Sequence, residues 1–214
     1  MAKIHRDRLI IFTRYPEPGK TKTRLIPALG AKGAAQLQRQ LTEHTLKQIK
    51  PLINVKPLIN EIDVAIYYTG TSQEIMKNWL GNNLTYCEQA KGDLGQKMQS
   101  AFSDSFALEY SRVIIIGIDC IDLNYTIVEQ ALKSLIENDL VLGKAADGGY
   151  YLIGLKQIFS ELFQDIPWGT NQVLSISQDI AKKLGLNTCI LPTLSDIDRP
   201  EDLPMLEKYG IFEL

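Results

Sequence analysis

The sequence predicts a single α/β domain over residues 1–214, with a parallel sheet at its centre. The run Val113 to Ile116 is continuously aliphatic and shows no polar alternation, as in a strand that is covered on both faces. Arg8 to Thr13 has the same character. Between these two runs, Ala31 to Lys50 carries apolar residues at helical spacing, which is typical of an amphipathic crossover helix. A chain of 214 residues can bury most of its apolar surface without disulfides or metals.

The composition argues against several classes of protein. The 23 basic and 25 acidic residues give a net charge of -2 and form no long block of one sign, so no nucleic-acid partner is expected. Cys87, Cys120 and Cys189 are far apart and lack a C-x-x-C pair, which argues against a disulfide framework or a zinc site and favours a reducing compartment. The apolar run Leu9 to Phe12 is too short for a signal sequence or a membrane span. We therefore expect a cytoplasmic protein.

The other elements follow from apolar periodicity and capping signals. Further strands are predicted at 62–69, 84–87, 140–143, 151–155 and 186–191. Thr71 and Thr126 each have a Glu three residues later, so each predicts a capping box at a helix start. An amphipathic helix is expected after Lys91 to Met98, and Thr170 is a good N-cap for a later helix.

Two carboxylates follow the central strand directly. Asp119 and Asp122 come after Gly117, at the point where the strand should end. Ligands of open α/β sheets bind outside the carboxyl ends of the strands, which makes Asp119 the first candidate for a metal ligand. The alternative is that both acids satisfy a turn or cap the next helix, as an aspartate after a strand commonly does.

The loop after the first strand is the most cationic loop of the chain. Its prolines and glycine predict a shaped loop, and its four cations exceed its single acid, Glu17. It does not match a Walker A motif, which would need glycine at Arg14. The loop is either a phosphate cradle or a group of solvated surface cations. The candidate nucleotide and phosphate contacts here are Thr13, Arg14, Lys20, Lys22 and Arg24.

Two glycine-containing motifs are further candidates for binding. Gly92, Asp93 and Gly95 precede a predicted helix whose N-terminus could meet a nucleotide or phosphate, although glycine and aspartate are also ordinary caps. Asp147, Gly148, Gly149 and Tyr150 permit close backbone approach and offer a stacking face, as in the wall of a site for a sugar or similar acceptor. The alternative for this second motif is a glycine turn into a strand with core tyrosines.

The last part of the chain offers an indole and a third acidic cluster. Trp168 in the sequence IPWGT could shape a pocket or plug the core. Asp198 precedes Pro200 and Glu201 at capping positions, so a helix cap is a strong interpretation. Asp198 could instead complete a metal site begun by Asp119.

Six motifs occur together in the order FTRYPEPGKTKTRL, KGDLGQKM, GIDCIDL, ADGGYYLIGL, PWGT and DIDRPEDL. This combination resembles the DUF2064 family of GT-A-like glycosyltransferases, within the nucleotide-diphospho-sugar transferase superfamily. The resemblance covers nearly the whole chain and implies a three-layer α/β/α domain with a mostly parallel sheet. Ile121 and Lys144 stand where the family usually has proline, and Gly169 stands where a hydroxyl residue is common.

The resemblance also implies roles for the candidates. The four cations of the basic loop are implied to contact phosphate. Asp119 is implied to be a ligand of Mg²⁺ or Mn²⁺. Asp198, in preference to Asp196, is the second candidate metal ligand. The resemblance assigns Asp147, Gly148, Gly149 and Tyr150 to the acceptor side. We add Trp168 to that side and nominate Asp147 as the acceptor base. We expect transfer of a sugar from a nucleoside-diphosphate sugar to a small-molecule acceptor. The alternatives are a nucleotidyltransferase that releases pyrophosphate, whose opening loop is often glycine-rich, and a nucleotide-binding module without catalysis, which Ile121 would support.

Overall fold

A single mixed sheet organises the chain. The computed structural model describes residues 6–54, 61–207 and 209–210. In these ranges seven strands share one sheet: β1 (Arg6–Arg14), β2 (Glu61–Thr69), β3 (Thr85–Glu88), β4 (Arg112–Ile116), β5 (Leu140–Ala145), β6 (Tyr150–Leu155) and β7 (Thr188–Leu194). Their order is β3-β2-β1-β4-β6-β5-β7, and every pairing is parallel except the two made by β6. The mostly parallel sheet expected for this chain is confirmed.

Helices cover both faces of the sheet. The described α-helices are α1 (Ile26–Asn54), α2 (Gln73–Leu80), α3 (Leu94–Ala107), α4 (Tyr125–Ser134), α5 (Val173–Lys183) and α6 (Pro204–Glu207). Leu9 and Ile114 pack in one buried cluster with α1 and α4, whereas Ile10 and Ile115 pack in another with α3 and α5. Alternate residues of each strand therefore pack into two separate hydrophobic cores, one on each face of the sheet, which produces the three-layer architecture. No helix in the described residues is long and apolar enough to cross a membrane.

Three predicted helix starts are wrong by one or two residues. Ser72, and not Thr71, caps α2 and accepts a hydrogen bond from the Ile75 N–H at 3.4 Å. Asn124 caps α4 in place of Thr126. Thr170 lies in the turn before α5, which begins at Val173. An N-cap needs an extended backbone and a side-chain oxygen within reach of the first free N–H groups, and Ser72 and Asn124 provide both.

The carboxyl edge of the sheet collects the loops that carry the candidate residues. The strands other than β6 run in one direction, so the loops after β1, β4 and β7 leave from the same edge. β6 runs back, which places the turn between β5 and β6 at this edge as well. The Ala146 N–H donates to Leu194 O at 2.9 Å and ties this turn to the end of β7.

Candidate active site

Four carboxylates from three loops line one cavity at the carboxyl edge. Asp119 follows β4, Asp147 lies between β5 and β6, and Asp196 and Asp198 follow β7. All four border a cavity of about 340 Å³. They meet because the carboxyl ends of β4, β5 and β7 lie at the same edge of the sheet. The residues predicted as metal ligands and as acceptor base therefore share one cavity.

Backbone contacts hold these loops in place. The Ile197 N–H donates to Asp119 O at 2.9 Å, which joins the loop after β7 to the loop after β4. The Ile197 side chain is fully buried in the core beside α1 and α4. The Asp147 carboxylate accepts a hydrogen bond from the Gly149 N–H at 2.8 Å and closes the turn between β5 and β6. The positions of the carboxylates thus follow from local backbone geometry and a buried anchor.

Two cations of the loop after β1 pair with these carboxylates. Lys22 Nζ lies 2.8 Å from Asp119 Oδ1 and also donates to Ile197 O, and the lysine side chain is only 5% exposed. Arg24 forms an ion pair with Asp198. The hydrogen bond and charge of Asp198 hold the pKa of Arg24 above its usual value. Lys22 and Arg24 are therefore part of the acidic site itself.

The other two cations of this loop face solvent. Arg14 is exposed at the end of β1. Lys20 is exposed and forms a pair with Glu17 at 2.8 Å. An exposed pair of this kind is weakly held, so a phosphate could replace Glu17 at Lys20. Phosphate contacts by Arg14 and Lys20 stay a prediction.

The carboxylates outnumber the cations beside them. Partial burial, followed by the negative charge of Asp147, raises the pKa of Asp196 to about 6. Burial, with Asp119 and Asp196 nearby, also raises the pKa of the Cys120 thiol. Burial is the larger cause of both shifts, and the neighbouring carboxylates add to it because four of them surround the cavity beside two cations. The cavity is therefore electrostatically suited to a cation.

The donor atoms fit a hard divalent metal. Carboxylate oxygens are the ligands that Mg²⁺ and Mn²⁺ favour. In the parts of the chain that the structure describes, no group of three or more His, Cys, Asp or Glu side chains is arranged to hold a metal ion. Asp119 and Asp198 each face a basic side chain. The protein therefore offers a metal two carboxylates at most, and phosphate oxygens or water would have to complete its coordination.

An aromatic wall completes the cavity. Tyr150 and Trp168 both line it and meet edge to face, with ring centroids 6.3 Å apart. Burial raises the pKa of Tyr150, whose hydroxyl oxygen is hidden from solvent. Trp168 packs on Gly95, where an added Cβ would lie 2.8 Å from the indole Nε1. The parts of these half-buried rings that line the cavity suit contact with a sugar or a base.

The motif Lys91 to Met98 forms the start of α3. Asp93 accepts a hydrogen bond from the Gln96 N–H at 2.8 Å, and the Gln96 side chain accepts one from the Asp93 N–H at 3.0 Å. Gly92 has a φ of 117°, which favours glycine. Leu94 is the residue of this motif that lines the cavity. Gly92 and Asp93 thus form a helix cap, and their contact with a nucleotide stays a prediction.

Two other candidates are held by internal contacts. The Thr13 hydroxyl lies 2.9 Å from the Thr42 hydroxyl and accepts a hydrogen bond from Gln38, in the interior of the protein. Gly148 has a φ of 92°, and an added Cβ there would lie 2.3 Å from Asn171 O. Neither Thr13 nor Gly148 borders the cavity that the carboxylates line. Gly148 instead allows the turn to pass close to the segment before α5.

The helix-cap interpretation is wrong for Asp119 and Asp198. Asp202, and not Asp198, accepts the N–H groups of Asp198 and Arg199, at 3.0 and 2.7 Å. It stabilises the short 3₁₀ turn Pro200–Asp202. Near β4, Asn124 caps the next helix, and the Asp119 carboxylate pairs with a lysine. Neither Asp119 nor Asp198 therefore caps a helix.

A second cavity adjoins the first and was not found by sequence reasoning. Its volume is about 540 Å³, and it shares Asp147, Asp196 and Asp198 with the first cavity. The rest of its lining includes Asn171 and Arg199. These residues come from loops that are distant in sequence and carry no common motif. The one available signal was the density of polar residues between 195 and 202.

The fold defines the class of the protein. A three-layer domain with a mostly parallel sheet is the architecture of nucleotide-diphospho-sugar transferase-like proteins. Residues 56–170 match the family described as "Uncharacterized protein conserved in bacteria (DUF2064)". The chain belongs to this family, as its six motifs suggested. No curated protein matches the chain significantly.

Solved structures support the same class. A candidate nucleotide-diphospho-sugar transferase from Desulfovibrio desulfuricans G20 has a TM-score of 0.86 and 32% identity, over 95% of this chain and 87% of that chain. CMP:2-keto-3-deoxy-manno-octonic acid synthetase complexed with CTP has a TM-score of 0.58 and 11% identity, over 98% of this chain and 100% of that chain. Glucosyl-3-phosphoglycerate synthase from Mycobacterium tuberculosis, in complex with Mn²⁺, UDP and glucosyl-3-phosphoglycerate, has a TM-score of 0.54 and 11% identity, over 97% and 77% of the two chains. The last two show the shared fold alone.

Proposed function

We propose that this protein is a transferase that binds a nucleoside-diphosphate sugar at the carboxyl edge of its sheet and transfers the sugar to a small-molecule acceptor. The observation that carries the proposal is the meeting of four carboxylates around one cavity, beside two cations of the loop after β1. The neighbours with bound CTP or UDP support a nucleotide ligand. The free thiols of Cys87, Cys120 and Cys189 support the cytoplasmic location that we propose.

The diphosphate would lie beside the basic loop. Arg14, Lys20, Lys22 and Arg24 can offer charge-assisted hydrogen bonds to its oxygens. Sugar transfer leaves a nucleoside diphosphate as the leaving group, and negative charge grows on it as the glycosidic bond breaks. Cations in place before the reaction stabilise that charge.

The proposal includes a divalent metal. Asp119 and Asp198 would be its protein ligands, and Mg²⁺ or Mn²⁺ would neutralise charge on the diphosphate. The excess of four carboxylates over two paired cations around the cavity supports this assignment. The Mn²⁺ bound to glucosyl-3-phosphoglycerate synthase gives further support.

The acceptor would enter beside the turn between β5 and β6. Asp147 is exposed and borders both cavities, so its carboxylate can accept a proton from an acceptor hydroxyl. Tyr150 and Trp168 supply the wall, and Gly148 and Gly149 shape the turn that carries the base. The second cavity adds space for an acceptor on the far side of Asp147.

Product identity tests the proposal against its alternatives. We would incubate the protein with panels of nucleoside triphosphates and nucleotide sugars, with Mg²⁺ or Mn²⁺ and with chelator. Release of a nucleoside diphosphate from a nucleotide sugar supports sugar transfer. Release of pyrophosphate from a nucleoside triphosphate would indicate nucleotidyl transfer and overturn sugar transfer. Nucleotide binding without either product would indicate a binding module without catalysis.

Asp119→Asn tests the metal site separately. It removes the charge of a half-buried carboxylate that pairs with Lys22, so metal-dependent nucleotide affinity should be lost. The melting temperature without ligand shows whether the variant is still folded. Asp122→Asn is the matched control, because Asp122 follows the same strand, is exposed and accepts a hydrogen bond from Tyr209. Calorimetry with Mn²⁺ and nucleotide measures both variants. Unchanged affinity in Asp119→Asn would remove Asp119 from the site.

A further inference from the structure

Lys22 differs from the other cations of its loop. Its side chain is only 5% exposed, whereas that of Arg24 is 56% exposed and that of Lys20 is 59% exposed. The backbone of Lys22 is in the left-handed region, with φ 46° and ψ 43°, which is unfavourable for a residue with a side chain. Strained residues of this kind concentrate at functional sites. Lys22 thus combines an unfavourable backbone conformation with an ammonium group that points into the protein.

The Lys22 ammonium contacts Asp119, a proposed metal ligand. Lys22 Nζ lies 2.8 Å from Asp119 Oδ1, and it also binds Ile197 O in the loop that carries Asp196 and Asp198. A lysine ammonium has three donors, so two of the three are used inside the acidic site. A divalent ion bound to Asp119 would lie close to Nζ and be repelled by it. Lys22 and a metal are therefore competitors for the same carboxylate.

Arg24 repeats the arrangement at the second proposed ligand. Lys22 immediately precedes the 3₁₀ segment Thr23–Leu25, Arg24 lies within that segment, and Leu25 is fully buried. Arg24 pairs with Asp198 as Lys22 pairs with Asp119. One anchored turn thus places a cation on each carboxylate that the metal would need.

We propose that Lys22 holds the Asp119 carboxylate in the nucleotide-free protein and that a nucleoside diphosphate draws Lys22 away, so that metal and nucleotide bind cooperatively. This inference rests on the proposed function. The diphosphate offers the ammonium new oxygens, and Asp119 is then released to the metal. Each ligand thereby increases the affinity for the other, as linkage requires.

The test measures Mn²⁺ binding to the whole protein with and without nucleotide. The probes are Mn²⁺ alone and Mn²⁺ with ADP, CDP, GDP or UDP, and free Mn²⁺ is followed by its paramagnetic resonance signal. In the parent protein, Mn²⁺ alone should bind weakly, and the best diphosphate should improve its affinity by about tenfold or more.

Lys22→Met removes the competing charge and keeps a long side chain. It should bind Mn²⁺ about tenfold tighter than the parent in the absence of nucleotide, since a charged hydrogen bond no longer opposes the metal. Its affinity for the diphosphate without metal should fall by a similar factor. Arg24→Met should show the same pattern more weakly, because Arg24 is half exposed.

Lys156→Met is the matched control. Lys156 Nζ lies 3.4 Å from Asp139 at the opposite edge of the sheet, so the variant also removes an ammonium from an aspartate. It should leave both affinities unchanged. Lys22→Arg, which keeps the charge, should retain weak Mn²⁺ binding, and melting temperatures confirm that each variant is folded.

The outcomes separate this inference from the proposed function. A parent that binds both ligands without cooperativity, or a folded Lys22→Met variant that binds Mn²⁺ no tighter, would overturn the inference and leave the transferase proposal standing. A parent that binds no nucleotide under any condition would overturn both.

Discussion

Asp196→Asn provides a test of the cavity electrostatics that needs no ligand. Partial burial and the charge of Asp147 raise the pKa of Asp196 to about 6, against an ordinary value of 3.8. The folded protein therefore binds the Asp196 proton more tightly than the unfolded chain does. The resulting stabilisation is fully present below pH 3.8 and is lost as the pH rises through about 6. Above that pH the folded parent carries an unfavourable carboxylate charge, which the Asn variant lacks.

The magnitude follows from the difference between the two pKa values. A difference of one in pKa corresponds to about 1.4 kcal/mol, so the upper limit here is about 3 kcal/mol. Asp196 is half-buried, and solvent screens part of this effect. We expect Asp196→Asn to increase the free energy of unfolding by about 1 to 2 kcal/mol at pH 7 to 8 and to have little effect near pH 4.

Urea denaturation in the presence of chelator, at several pH values between 4 and 8, measures the effect. The control is Asp179→Asn, which changes an exposed carboxylate on α5. The control should show no comparable gain as the pH rises. A gain for Asp196→Asn that is equal at all pH values, or a loss of stability at pH 8, would refute the electrostatic reasoning.

Three further substitutions test a packing contact, a buried ion pair and a turn cap. Gly95→Ala places a Cβ 2.3 Å from a backbone carbonyl and 2.8 Å from Trp168 Nε1; it should cost about 1 to 3 kcal/mol and shift the Trp168 emission, measured with the other tryptophan replaced by Phe. Arg112→Leu removes two hydrogen bonds of 2.7 Å to Asp7, which is 1% exposed, and the unpaired charge should cost about 3 to 5 kcal/mol in urea denaturation. Asp202→Ala should lower thermal stability by about 0.5 to 2 kcal/mol, and Asn should restore most of it, because the role needs an acceptor and not a charge. A neutral Ala variant would remove Asp202 from the cap.

The sequence by itself determined the elements and the general location of the site. All seven described strands were predicted, and β1 and β4 were predicted from continuous apolar runs, because a strand covered on both faces leaves little room for polar residues. Asp119 was placed correctly at the end of β4, since a strand end can be located from the sequence alone. The six motifs also identified the family. These conclusions depend on interactions between residues that are close in the chain.

Only the tertiary structure decided which side chains meet. Lys22 reaches Asp119, and Arg24 reaches Asp198 across 174 residues of sequence. The antiparallel direction of β6 brings Asp147 to the same edge of the sheet. Local sequence supplies charges and caps, but their partners depend on the order and direction in which the strands pack. For this reason, two cations of the loop that was interpreted as a phosphate cradle pair with carboxylates of the candidate active site.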